Sequence, residues 1–298
     1  MPTKRARSWV ALLVALCLLT FAAACGGDDE DEELAEDDAA ESTETAGVKY
    51  TVTGNEGTLT GSINFTGDAP QPKPISMDQD PVCGQSNPNA TSEEVVVKDG
   101  KLQNVFVYVK DGKTADGKNF ATLAFDAPAD TRVLDQQGCQ YVPHILGVQT
   151  GQKLDVKNSD PTAHNVNLQA KSNPAFNQSQ PPGAPLIQKT FSRAEVLIPV
   201  KCNQHPWMKS YIGVMKHPFY AVSGADGKFE IKGLPPGTYN VVAWHERLKE
   251  QTQSVTVAAK ESKSQDFSFT AASARNSLEG GSLEVLPALE LPMLGRHH

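Results

Sequence analysis

Between residues 48 and 270 no stretch carries a convincing helical period, so the folded part of the chain is expected to be all-β. There is no basic patch and no nucleic-acid motif, which removes nucleic acid from the expected partners. No arrangement of nucleophile, base and orienting acid stands out, so an enzyme is not expected. Cysteine is scarce, with five residues at Cys17, Cys25, Cys83, Cys139 and Cys202. The acid excess is local rather than general. Asp28 to Glu44 holds eleven acidic residues and no basic one, while Lys4, Arg5 and Arg7 lie ahead of it. Without these two ends the formal charge of −8 disappears, so the pI of about 5.4 says nothing about a partner surface.

The basic residues near the start precede an apolar run, Trp9 to Leu19, and then Phe21-Ala22-Ala23-Ala24 leading into Cys25. A run this short between such flanks reads as an export signal and not as a membrane span. Small residues ending at a cysteine resemble the bacterial lipobox. The resemblance implies a lipoprotein signal peptide over 1–24, lipidation of Cys25, and attachment to a membrane of the cell envelope on its periplasmic or extracellular face. An ordinary cleaved signal peptide is the alternative. Residues 25–47 then read as an acidic disordered tether, since such a segment cannot collapse on itself.

The chain's chemistry is concentrated in KCNQHPWMKSY, residues 201–211, where Cys202, His205 and Met208 stand as C-x2-H-x2-M. Upstream, VKNSDPTAHNVNL reads as a strand, a polar turn and a second strand, with His164 entering the latter. The apolar run Val196 to Val200 reads as a strand delivering Cys202, Pro206 limits the freedom of the loop, and Ile212 to Met215 is the return strand. A thiolate, two imidazoles and a thioether form a ligand set that serves both copper oxidation states. A buried Cys, a core His and a gap-filling Met are the bland alternative. Four suitable ligand types in this order weigh against it.

These residues resemble the cupredoxins, and the short ligand loop looks most like that of amicyanin, over about residues 147–215. The resemblance implies a Greek-key β-sandwich holding one type 1 copper ion, with His164, Cys202 and His205 in the equatorial plane and Met208 axial. It implies a one-electron carrier that meets redox donor and acceptor proteins at the membrane. In such proteins an Asn near the first ligand often braces the Cys loop, and Asn158 or Asn165 is placed to do so. Trp207 is expected to shield the metal from water or to line a docking surface. Neither a second copper motif nor the C-x3-C of a dinuclear copper centre is present. Two other readings are a copper protein for trafficking, storage or sensing, which would have a more exposed site, and a non-metal extracellular binding module, in which the ligands would not converge.

The remainder is strands and turns. GTLTGSINFTG alternates polar with apolar over residues 57–67, and the Asp99-Gly100 turn reads as a hairpin. ADGKF and GLPPGTY, after the ligand loop, resemble the carboxypeptidase-regulatory-like, transthyretin-type β-sandwich, whose opening strand normally reads like residues 57–67. That implies a second, smaller sandwich assembled discontinuously from 48–116 and 217–270, around a cupredoxin-like domain at 117–216; a tandem layout competes. Cys83 and Cys139 are the cysteines left over, and in an exported chain they most economically form a disulfide. A second metal site using Cys139 and His144 is the alternative, and His144 is more simply a structural histidine. His217 is expected near the metal or in packing, His245 on a surface or between domains, and 271–298 as a mobile tail in which His297-His298 makes no metal site.

Overall fold

A computed structural model describes residues 47–271. The expected signal peptide, the lipidation site Cys25, nearly all of the acidic tether and the expected tail beyond Ala271 lie outside the described residues. Within them the chain is all-β, built as two sandwiches that share one strand-rich body.

The first sandwich centres on Gly57–Thr66. This strand pairs antiparallel with Lys228–Leu234 and parallel with Ser262–Ser264 and Phe267–Thr270. Its strict alternation buries Leu59, Ile63 and Phe65 on one face, the period-2 signature of a strand with one face on a core. The facing sheet runs in the order Tyr220–Val222, Phe106–Thr114, Gly237–His245, Lys249–Val257. The body therefore draws strands from both before and after the ligand residues.

The second sandwich lies between them in sequence. One sheet orders Ile187–Thr190, Lys153–Asn158, Arg132–Gln137 and Gln140–Val142. The other orders Phe176–Gln180, His164–Leu168, Glu195–Lys201, Lys209–Met215 and Ile145–Gln149. Leu134, Tyr141, Leu154, Val156, Val166, Ile198, Val200, Ile212 and Val214 fill the space between the sheets. At about 25 cal/mol per Å² of apolar surface removed from water, this burial drives the layer packing.

Three features depart from the sequence reading. Residues 75–90 leave the first sandwich and pack Met77, Cys83 and Ala90 into the second core. They include a short helix, Pro81–Ser86, whose amino end is capped by the Asp80 side chain accepting from Val82 N–H at 2.9 Å; Asp before Pro at the first turn is a favourable helix start. Conversely, Phe120 and Leu123 belong to the first core. The Glu195–Lys201 strand is bulged between Glu195 and Ile198, with Leu197 at φ 61, a conformation a leucine adopts only when its surroundings impose it.

The two sandwiches meet at a notch. Gly147 and Gly213 are register partners on adjacent strands of the ligand sheet. A Cβ on Gly213 would lie 2.5 Å from Phe106 Cζ, and one on Gly147 would lie 2.2 Å from Tyr220 Cε2. The two rings, stacked at 5.6 Å, occupy the space that the missing side chains leave.

Candidate metal centre

The return of the chain after Cys202 is fixed by its own backbone. Cys202 N–H donates to Met208 C=O at 3.3 Å and Met208 N–H to His205 C=O at 2.9 Å. This closes a tight loop that turns Cys202 and His205 toward each other. The neighbouring strand, joined through the pairs Asn167 with Lys201 and Leu168 with Val200, brings His164 to the same place. His164 Nδ1 lies 2.9 Å from His205 Nδ1, and Cys202 Sγ lies 3.7 Å from His205 Nδ1. One atom from each of the three falls within 4.8 Å of the others, and all three residues are buried. Met208 is 1% exposed, at the foot of the loop in the same core as Cys202.

The outer face of each imidazole is also occupied. His164 Nε2 lies 2.8 Å from Asp160 Oδ2, and His205 Nε2 lies 3.0 Å from Asp80 Oδ2. Asp160 accepts from the backbone N–H groups of Gly138 and Cys139 at 2.7 and 2.8 Å. Asp80 accepts from the Thr162 hydroxyl at 2.8 Å as well as from Val82 N–H. Asn165 N–H donates to Cys202 Sγ at 3.4 Å.

Burial alone would lower the His164 pKa, but the Asp160 carboxylate and the Cys202 sulfur outweigh it and raise it to about 9. Burial likewise opposes ionisation of Cys202, yet His164 and the backbone N–H groups around the sulfur bring its pKa down. His205 is lowered by burial, which with the neighbouring His164 overcomes the pull of Asp80. A buried thiol made easier to ionise is what a metal-binding cysteine requires. Two imidazole nitrogens aimed at one another across 2.9 Å beside a sulfur fit a single soft-to-borderline metal ion. The donor set is the one copper favours.

A family model, the carboxypeptidase regulatory-like domain, matches residues 214–270. Among solved structures, amicyanin from Paracoccus versutus is 22% identical, with 36% of this chain and 96% of that one covered at a TM-score of 0.26. A purple cupredoxin from Nitrosopumilus maritimus is 18% identical, with 29% and 99% covered at 0.24. A copper-containing nitrite reductase from Thermus scotoductus SA-01 is 13% identical, with 51% of this chain and 28% of that one covered at 0.27. No curated protein matches. The chain thus resembles cupredoxins in one part and the carboxypeptidase regulatory-like domain in another.

The other residues singled out in the sequence take these places. Asn158 braces the turn before His164, donating to Thr162 C=O and Gln180 C=O at 2.8 Å each and accepting from Asp160 N–H. Asn165 reaches the ligand loop by accepting from Asn203 N–H. The Trp207 ring lies 5.0 Å from that of His205, and its indole N–H donates to Cys139 C=O at 3.1 Å. Cys83 and Cys139 are joined, with S–S 2.01 Å, which leaves no Cys139 thiol for a second metal site. His144 is instead held between Glu246 and Glu93, both carboxylates on chain segments distant in sequence.

His217 packs among Phe120, Phe125 and Phe219, away from the ligand atoms. His245, expected on a surface or between domains, is 1% exposed and so not on a surface. Its Nδ1 accepts from Arg247 and Leu248 N–H, so its role is to close the turn at the strand end. Sequence reasoning missed Asp80 and Asp160. Asp160 stands four residues before His164, in a turn where Asp needs no further explanation. Asp80 lies 125 residues from His205, and nothing in the sequence pattern links the two.

Proposed function

We propose that this protein is an exported, lipid-anchored carrier of single electrons that uses one type 1 copper ion held by His164, Cys202, His205 and Met208. The observation that carries the reading is the convergence of His164 Nδ1, His205 Nδ1 and Cys202 Sγ inside a buried loop. Bound copper would supply a one-electron couple. The chain's own contribution is a rigid, dry seat. His164, Cys202, His205 and Met208 are all at most 4% exposed; bracing by Asn158 and Asn165 limits the rearrangement between oxidation states.

Closure of the site supports a carrier over a trafficking or sensing protein, which must load and release its metal readily. In the same reading, Cys25 anchors the chain to the membrane, residues 25–47 give it reach, and redox proteins at that membrane are its partners. The test is the visible absorption of the chain loaded with Cu(II). An intense blue thiolate-to-copper band that vanishes in Cys202→Ser is expected. A pale protein that gives up its copper to weak chelators would remove the carrier reading.

A further inference from the structure

The two imidazoles are supported by carboxylates that come from outside the ligand loop and its strands, and the two supports are tied together. Asp160 is oriented by the amides of Gly138 and Cys139. Asp80 caps the helix that carries Cys83. The Cys83–Cys139 disulfide therefore joins the two carboxylate mounts. Cys83 Sγ itself lies 3.8 Å from His205 Nε2. The turn around Asp80 thus lies over the ring edge of His205, whose side chain is 5% exposed beneath it.

We propose that Asp80 and Asp160 are positioning residues that fix the two histidines with Nδ1 inward and bias the centre toward the oxidised ion; this rests on the copper reading above. An imidazole whose outer N–H donates to a carboxylate is locked in one ring orientation and is a stronger electron donor through its other nitrogen. Two anionic carboxylates close to a buried centre also favour the higher metal charge, because the surroundings screen them weakly. Both effects favour Cu(II) over Cu(I). They act through the histidines and leave the ligand set unchanged.

The experiment is a comparison of the full chain with its Asp80→Asn and Asp160→Asn variants, measuring Cu(II) affinity, Cu(I) affinity and reduction potential on each. Asn keeps the size of Asp and, at Asp80, an oxygen to cap the Pro81–Ser86 helix, while it removes the charge and one acceptor oxygen. Cu(II) affinity is expected to fall about 10- to 100-fold in each variant. Cu(I) affinity should fall less, and the potential should rise by about 59 mV for each tenfold change in their ratio. Thr162→Val, which removes a hydrogen bond to Asp80 and no charge, should move the ratio much less. Equal losses for both ions, or no loss, in a wild-type protein that turns blue would overturn this proposal alone. A wild-type chain that binds no Cu(II) would overturn the copper reading and the proposal with it. Should either variant fail to fold, the other reads the same effect from the opposite histidine.

Discussion

His164 and His205 each turn Nδ1 inward and Nε2 to a carboxylate, one four residues away at Asp160 and the other 125 residues away at Asp80. The convergence of His164, Cys202 and His205 was legible because C-x2-H-x2-M with an upstream His suits few other chemistries. Asp80 and Asp160 were not, since an Asp in a turn already has a sufficient local reason to be there. Two of the histidines outside the site, His217 and His245, lead to a prediction at this scale. Burial holds His217 and His245 down to about 4 each, below the ordinary value of about 6.5. The unfolded chain therefore binds more protons than the folded one between these limits. The stability they contribute is present above about pH 6.5 and lost as pH falls toward 4, by up to about 3 kcal/mol per residue. Urea melts at pH 7 and pH 5 should show a smaller acid loss for His217→Gln than for wild type. An identical loss in both would show that His217 is not a source of the acid sensitivity.

At the scale of elements, strand identity was readable from alternation, while the placement of irregular segments was not. Gly57–Thr66 reads as a strand because each second residue is apolar. Residues 75–90 carry no period, so nothing in them says which core Met77 and Cys83 enter. The Cys83–Cys139 disulfide ties the segment to that core across a sequence separation of 56. Replacing both Cys83 and Cys139 by Ser should lower stability by about 4 kcal/mol on the chain-entropy view, read as a drop in the denaturant midpoint. An unchanged midpoint would mean that the segment is held by packing alone. The glycine notch is equally specific. Gly213→Ala puts a methyl into the Phe106 ring and should cost about 1–3 kcal/mol. Denaturation that matches wild type would show that the ring yields freely.

At the scale of the whole molecule, the two resemblances in the sequence implied two domains, and the structure binds them more closely than sequence boundaries convey. The second core needs Met77, Cys83 and Ala90 from before residue 117, and the ligand sheet is backed at its glycine notch by Phe106 and Tyr220. Residues 117–216 expressed alone should therefore be unfolded by circular dichroism and near-UV spectra, while 47–271 folds. A cooperative, copper-binding fragment 117–216 would contradict this interdependence. The His144 contact with Glu93 and Glu246 adds a polar tie among these same segments.

We propose one type 1 copper seat formed by His164, Cys202, His205 and Met208. The most direct measurement is a Cu(II) titration of the chain followed by visible absorption, alongside Cys202→Ser. An intense blue band that saturates at one copper per chain and is absent from the variant is expected. A colourless complex, or the same spectrum in Cys202→Ser, would contradict it.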